Sequence, residues 1–442
     1  MNFSDSEIVA SILLGEGFRL TDVISEAGIL LVNTCSVRGH AEQRVLKRLQ
    51  HFRAYRKKNP GLVIGLLGCM ADRIKTSLTE EQNLLDVIAG PDSYRDLPKL
   101  LKQVESGQRG VNTLLSLEET YADITPVRLA GNGVTAFISI MRGCENHCSY
   151  CVVPAARGQE RSRDPGSIVR EASSLFYQGY REVTLLGQNV NSYLCKEREG
   201  DLRFSGILGR VASIDSRLRV RFATSHPRDL TDDILEIIAR HPNICRAIHL
   251  PVQSGSDRVL DRMNRNYTRQ AYLNRISAIR ALIPGCTIST DIITGFCGET
   301  DEDHRLTLSI MDEAAFDYAY TFKYSERPGT LAAETMKDDV PGEVKSRRLN
   351  EVIARQQKLS LHSNKQDVGK VFEVLAEGTS HRSDHQWMGR TSGNKVVVFP
   401  GECVAPGGYV RIKINRCTSA TLLGELSDNS GLLKPTSCPL VI

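Results

Sequence analysis

The chain has 442 residues, 41% hydrophobic and 24% charged, the make-up of a folded globular protein long enough for two to three domains. No apolar run approaches a membrane span and the N-terminus lacks the basic-then-apolar order of a signal peptide, so a membrane partner is excluded and a cytoplasmic location is expected. Twelve cysteines are too few for a disulfide scaffold at this length, and a net charge of +4 neither requires nor excludes a nucleic-acid partner.

Residues 1–125 carry an α/β rhythm of their own. A helical pattern over 5–14 comes first. The apolar run Gly28-Ile-Leu-Leu-Val-Asn-Thr-Cys35 then reads as a strand ending in a cysteine, and Leu62-Val-Ile-Gly-Leu-Leu-Gly-Cys69 as another. A third strand covers 86–90, and a basic helix over 41–58 joins the first two. Ligands of a parallel sheet gather outside its carboxyl edge, which places Cys35 and Cys69 on one crevice; two small buried residues at strand ends would look the same. A small doubly wound domain normally begins with a strand. This chain opens on a helix, so a strand and a third cysteine are expected ahead of Met1.

From 134 to 325, short apolar runs alternate with amphipathic stretches. Strands are predicted over 135–141, 182–186, 218–224, 247–252, 287–294 and 318–324, with helices over 167–178, 232–240, 269–282 and 301–313. Six strand–helix units imply parallel pairing and a partial α/β barrel, with active groups at the carboxyl ends of the strands. Polar or glycine residues follow each strand as that geometry requires: Gly187-Gln188-Asn189, Ser225-His226-Pro227, Gln253-Ser254-Gly255, Gly295 and Ser325-Glu326-Arg327.

The loop after the first of these strands reads Gly143-Cys-Glu-Asn-His-Cys-Ser-Tyr-Cys151, so Cys144, Cys148 and Cys151 have Cys-x3-Cys-x2-Cys spacing. Three thiolates on one short loop can hold three irons of a [4Fe-4S] cube and leave the fourth open. An open iron on a one-electron donor is what reductive cleavage of S-adenosylmethionine to a 5'-deoxyadenosyl radical requires. Zinc and buried free thiols are the competing readings; zinc usually takes four ligands, and the nearest fourth is His147.

A helical pattern over 341–363 precedes five short strands, over 370–376, 387–390, 395–399, 409–415 and 420–426. They suit a small antiparallel barrel of the oligonucleotide-binding kind. Trp387, Arg390 and Phe399 are candidates for stacking or phosphate contact, with Trp387 equally readable as core. The last fifteen or so residues are expected to form a loose tail.

Taken together, these motifs resemble the radical-SAM methylthiotransferases, and among them the tRNA-modifying MiaB type, over nearly the whole chain. The matching stretches are Met1-Asn2 with Asp5-Ser6-Glu7, Asn33 to Arg38, Gly68-Cys-Met-Ala71, Arg142 to Pro154, Arg157-Gly158, Arg161-Ser-Arg163, Leu185 to Asn191, Thr224 to Pro227, His249 to Ser256, Asp291 to Gly295 and Tyr324 to Thr330. The resemblance implies an N-terminal methylthiotransferase domain over 1–125, a partial (β/α)6 radical-SAM barrel over 130–363 and a TRAM barrel over 364–427. It also implies two [4Fe-4S] clusters. One sits on Cys144, Cys148 and Cys151 and binds S-adenosylmethionine. The other, auxiliary cluster sits on Cys35, Cys69 and a third cysteine that in the family precedes a stretch ending like Met1-Asn2. Tyr150 would pack near the adenine, while Gly187, Gln188, Asn189, Gln253 and Ser254 would line the S-adenosylmethionine rim. Cys297 stands where the family commonly has proline, and reads as a tolerated substitution.

The implied reaction is methylthiolation at C2 of N6-isopentenyladenosine at position 37 of tRNA, at an unpaired base of the anticodon stem-loop. It is run by a monomer with a flavodoxin- or ferredoxin-type electron donor. An aromatic C2–H offers no acidic proton or leaving group, so radical chemistry is the sensible route. Arg157, Arg161 and Arg163 are the favoured phosphate contacts, ahead of the basic helix, whose charge run reads as a solvated face. The alternatives are a threonylcarbamoyl-adenosine tRNA or a ribosomal-protein aspartate as substrate, a non-catalytic iron–sulfur RNA-binding protein, and an electron-transfer protein.

Overall fold

The computed structural model describes residues 1–34, 39–71, 85–129, 131–198, 200–380, 383–401 and 404–427. Cys35 and the C-terminal tail lie outside the described residues.

Helix α1 (Asn2–Gly15) leads into strand β1 (Ile29–Thr34), helix α2 (Gly39–Lys58), strands β2 (Val63–Gly68) and β3 (Val87–Ala89), helix α3 (Leu97–Glu105) and strand β4 (Gly110–Asn112). The four strands form one parallel sheet in the order β1-β2-β3-β4. Apolar, β-branched runs make strands that can be covered on both faces. Leu67, Val87 and Ala89 face Ile8, Val9 and Tyr94 on one side, while Ile64, Leu66 and Ile88 face Leu49 and Phe52 of α2 on the other. The register pairs Thr34 with Gly68, so the residues just before Cys35 and Cys69 are cross-strand neighbours.

Next come strands β5 (Thr135–Ser139) and β6 (Met141–Arg142), helix α4 (Val153–Arg157), strand β7 (Arg161–Ser162), helix α5 (Pro165–Tyr177) and strand β8 (Glu182–Leu186). A hairpin, β9 (Leu194–Glu197) and β10 (Gly200–Arg203), precedes α6 (Phe204–Ala212), β11 (Arg219–Ala223), α7 (Asp232–Arg240) and β12 (Ala247–His249). Then follow α8 (Asp257–Arg262), α9 (Arg269–Leu282), β13 (Thr287–Thr294), α10 (Asp301–Ala314) and β14 (Tyr318–Lys323). Strands β5, β8 and β11 are parallel neighbours, as are β12, β13 and β14. A parallel bridge from Val220 to Ile244 joins the two triplets into the predicted six-stranded partial barrel. One apolar core, from Ile138 through Leu185, Val220 and Ile248 to Ile292, fills it and continues beneath the helices.

Helix α11 (Leu331–Thr335) and the long α12 (Gly342–Lys365) lead to five strands: β15 (Val371–Ser380), β16 (Ser383–Thr391), β17 (Val396–Pro400), β18 (Tyr409–Cys417) and β19 (Leu422–Leu426). These close into a barrel in the order β15-β16-β17-β19-β18. Three strands are longer than predicted: β15 continues past a bulge at Gly378, β16 starts in a polar stretch, and β18 runs on to Cys417. Phe399 is a correction to the stacking candidates, since it is 1% exposed in the barrel core, and Trp387, its cross-strand partner, packs against the same core. Arg390 pairs with Glu377.

The small barrel docks on the amino-terminal end of the large one. Arg219 Nη1 and Arg221 Nη2, on β11, donate to the carbonyls of Arg390 and Thr391, and Thr287 Oγ1 at the start of β13 donates to Gly393 O. No helix among the described residues is long and apolar enough to cross a membrane.

Candidate active site

The cysteine loop leaves β6 at Gly143, whose φ of +80° and crowding admit no side chain: a Cβ there would lie 1.8 Å from Gln159 O. Several bonds then fix the loop. Cys144 N donates to Gly158 O, Ser149 N and Oγ donate to the carbonyls of Met263 and Arg262, and Cys151 N donates to Cys148 O. The three thiols lie within electrostatic reach of one another. Burial pushes Cys144 up to about 11 and Cys151 up to about 12, so each stays protonated until a cation takes the proton's place.

Sequence reasoning missed Arg265. It lies between Asn264 and Asn266, both left-handed with φ of +53° and +56°, and Asn264 Nδ2 donates to His147 O. This turn delivers the buried guanidinium to Cys148 Sγ at 3.2 Å, with further donation to Tyr267 OH and Pro251 O. The only trace in the sequence is an arginine bracketed by two asparagines, residue types that tolerate that backbone region.

Around the loop, the carboxyl ends of the strands carry buried polar atoms that have no hydrogen-bond partner among the described residues. They are Gln188 Oε1 and Asn189 Oδ1 after β8, Ser225 Oγ and His226 Nε2 after β11, and Gln253 Oε1 after β12. Thr224 and Gln253 hold φ of +75° and +68°, strained for side-chain-bearing residues and above all for a β-branched threonine. His226 is 4% exposed; burial, helped by Arg265 and Arg228, lowers it to about 2, so the ring is neutral at physiological pH. Its Nδ1 accepts from Arg228 N.

Other predicted rim residues have different duties. Gly187 lets β8 approach Met141, since a Cβ would meet Met141 Cγ at 2.4 Å. Ser254 is a correction: fully buried, its hydroxyl bonds Thr307 Oγ1 and accepts from Ser256 N, which shapes the turn. Asn189 Nδ2 donates to Asp229. Tyr150 packs edge-on to Phe296, 6.3 Å between centroids, in an apolar cluster that also contains Cys297.

The three loop arginines are the larger correction. Arg157, Arg161 and Arg163 are only 3%, 6% and 5% exposed, and all three serve as internal counter-charges out of reach of phosphate. Arg161 pairs with Asp92 at 2.9 Å and Arg163 with Glu171 at 2.5 Å. Arg157 donates from Nη2 to Asp5 of α1 at 2.6 Å and from Nε to Cys69 Sγ at 3.0 Å. Asp5 also accepts from Arg142 Nη1 at 2.9 Å, and the Arg142 guanidinium lies 4.9 Å from the Tyr121 ring centroid. One buried charge network therefore joins the N-terminal sheet to the segment that carries the cysteine triad. Because α4 follows Cys151 directly, Arg157 is a single-side-chain bridge from that loop to Cys69.

Known proteins share this layout. The Radical SAM superfamily matches residues 138–310, the Uncharacterized protein family UPF0004 residues 1–90, and the TRAM domain residues 365–427. A tRNA-2-methylthio-N(6)-dimethylallyladenosine synthase from Amoebophilus asiaticus (strain 5a2) is 56% identical over 96% of this chain and 90% of its own. One of the same name from Chloroherpeton thalassium is 51% identical over 96% and 93%. The chain belongs to this family of radical-SAM methylthiotransferases. Among solved structures, the radical S-adenosylmethionine methyltransferase TsrM from Kitasatospora setae shares the fold, with a TM-score of 0.58 at 16% identity, over 74% of this chain and 73% of that one. The radical enzyme OxsB does so with a TM-score of 0.52 at 13% identity, over 80% and 53%.

A radical-SAM methylthiotransferase uses a [4Fe-4S] cluster and S-adenosylmethionine, and the residues here fit both. A cube takes one thiolate per iron, so its ligands must stand apart. Cys144, Cys148 and Cys151 are half-buried on one loop and within electrostatic reach of one another. His147, the zinc reading's fourth ligand, is exposed. The unpartnered amide, hydroxyl and imidazole atoms along the rim suit an amino-acid and nucleoside ligand that brings its own donors and acceptors.

Proposed function

We propose that this chain adds a methylthio group to C2 of N6-isopentenyladenosine at position 37 of tRNA. In this reading Cys144, Cys148 and Cys151 hold the S-adenosylmethionine cluster, Cys69 and Cys35 contribute to an auxiliary, sulfur-bearing cluster, and a flavodoxin- or ferredoxin-type protein is the electron donor. The observation that carries it is the Arg157 bridge, which sets Cys69 one guanidinium away from the cysteine loop. An enzyme that only generated a radical would have no use for a second cysteine locked to the first site by a buried charge.

When bound, cluster and S-adenosylmethionine together supply a carbon radical able to abstract a hydrogen atom from an aromatic C–H. The chain's own residues bind and exclude water. Gln188, Asn189, Gln253 and Ser225 offer the unpartnered polar atoms that would orient S-adenosylmethionine, and neutral His226 offers Nε2 without adding charge. Arg265 donates to Cys148 Sγ and Arg157 to Cys69 Sγ, so each site has a buried cation beside the sulfur.

Anaerobic reconstitution, iron and sulfide counting, and mass spectrometry of nucleosides from a treated isopentenylated tRNA test this reading. The expected product is the 2-methylthio nucleoside, formed with 5'-deoxyadenosine. Formation of 5'-deoxyadenosine with an unchanged tRNA would overturn it. A product on threonylcarbamoyl-adenosine tRNA or on a ribosomal-protein aspartate would move the activity to another substrate.

A further inference from the structure

With the loop arginines internal, a nucleic acid must meet positive charge elsewhere, and α2 carries the densest exposed supply. From 44 to 58 the helix has seven Lys or Arg and no Asp or Glu, so it alone exceeds the chain's net charge of +4 and leaves the remainder at −3. Its inner face is ordinary packing, with Leu49 and Phe52 buried against the sheet and Arg56 paired with Asp86. Its outer face presents Arg44, Lys47, Arg48, Lys57 and Lys58 to solvent, and none of these five forms an ion pair with another described residue.

A solvated helix face ordinarily mixes signs, because like charges three or four residues apart disfavour the helix. Arg44 stands in that relation to both Lys47 and Arg48, with no acidic side chain between Arg44 and Lys58 to offset it. The helix dipole accounts for cations in the last turn, at Arg56, Lys57 and Lys58, but not for Arg44, Lys47 and Arg48. The direction of the helix also fits a role. Strand β1 ends at the carboxyl edge of the sheet, and α2 starts there and runs back along it. Arg44 to Lys58 therefore forms a basic stripe of about 21 Å that begins on the side of Cys69 and leads away.

We propose that the outer face of α2 is a phosphate rail for the tRNA substrate, gripping the stem backbone while the target base sits at the carboxyl rim. This rests on the tRNA reading above and adds where the stem lies. Backbone contact of this kind positions the RNA without reading its sequence, and it releases counterions, so it must weaken with salt.

The test compares wild type with Arg44→Gln/Lys47→Gln/Lys57→Gln, three exposed positions, using a tRNA transcript with adenosine at position 37 titrated over a range of salt. The variant should bind at least about 10-fold more weakly near 0.1 M salt. Its log affinity against log salt should lose about 2 to 3 units of slope, at roughly 0.7–0.9 per phosphate contact. Iron content and S-adenosylmethionine cleavage should stay at wild-type levels. If wild type binds the transcript and the variant matches it in affinity and slope, the rail is overturned while the tRNA reading stands. If wild type does not bind, the tRNA reading fails and takes the rail with it. Unchanged tRNA binding with slower reduction by flavodoxin would also overturn the rail and give the face to the electron donor.

Discussion

Asp5 is the residue on which the junction between α1 and the cysteine-bearing segment turns. Its carboxylate is fully buried and accepts from two guanidiniums, Arg142 at 2.9 Å and Arg157 at 2.6 Å. Burial alone would raise its pKa, but Arg157 and Arg142 outweigh burial and hold it at about 2 against an ordinary 3.8. That gap corresponds to about 2.5 kcal/mol in favour of the charged form. The folded pKa is depressed, so this contribution is complete above pH 3.8 and disappears as pH falls towards 2. Asp5→Asn keeps the shape, removes the charge and leaves buried Arg157 without a carboxylate, while Arg142 keeps only Asp92 at 3.4 Å. Breaking a buried pair in this way costs about 3–5 kcal/mol. Hydrogen exchange of the α1 amides near pH 7 reads the local opening free energy directly, and it should fall by that amount. The single tryptophan, Trp387 in the distant small barrel, gives a control signal whose unfolding should shift far less. A fall below about 1 kcal/mol at α1 would refute the argument that buried charge pairing holds the two parts together.

Gly143→Ala should prevent cluster assembly on the triad, because both φ and the Gln159 carbonyl forbid the methyl; iron and sulfide per chain would drop while far-UV circular dichroism stayed near wild type. Arg348→Met strands the buried carboxylate of Glu299, which Arg348 bonds at 2.8 Å, and chemical denaturation should show a loss of about 3–5 kcal/mol near neutral pH. Burial already pushes Glu299 upward, so the loss should shrink as pH falls and the carboxyl takes a proton. His226 stays neutral in the fold down to about 2, whereas the unfolded chain protonates it near 6.5. Stability should therefore decline below pH 6.5, approaching about 1.4 kcal/mol per pH unit, and His226→Gln should remove that slope.

Local patterns in the sequence carried the architecture far. Cys144, Cys148 and Cys151 share one loop, and their spacing is intact in any fold that keeps that loop. The alternation of apolar runs with amphipathic stretches likewise gave all six barrel strands, because each element buries a continuous stripe of its own residues. The arginines misled for the opposite reason. Arg157, Arg161 and Arg163 follow the cysteines in a pattern that suits a solvent-facing phosphate clamp equally well. The partners of Arg157 and Arg161, Asp5 and Asp92, lie 152 and 69 residues away, beyond any periodicity argument; only Arg163 has a nearby partner, Glu171, eight residues on. Arg265 was hidden similarly, being 117 residues from Cys148. Ser254 sat in the expected rim motif, but its hydroxyl is taken by Thr307 of α10, 53 residues on, a pairing that only packing reveals.

Helix α12 has a further consequence. Near its start, Lys345 packs on Gly295 and reaches Tyr324 O, at the carboxyl ends of β13 and β14. Near its end, Asn364 Nδ2 donates to Thr418 O of the small barrel. Nineteen residue-to-residue rises from Lys345 to Asn364 measure about 28 Å. The helix is a strut of fixed length holding the two barrels' working parts apart, and buried Lys345, Arg348 and Gln356 rivet it along its course. The carboxyl ends of β13 and β14 and the Thr418 end of the small barrel are thus kept apart along one continuous helix.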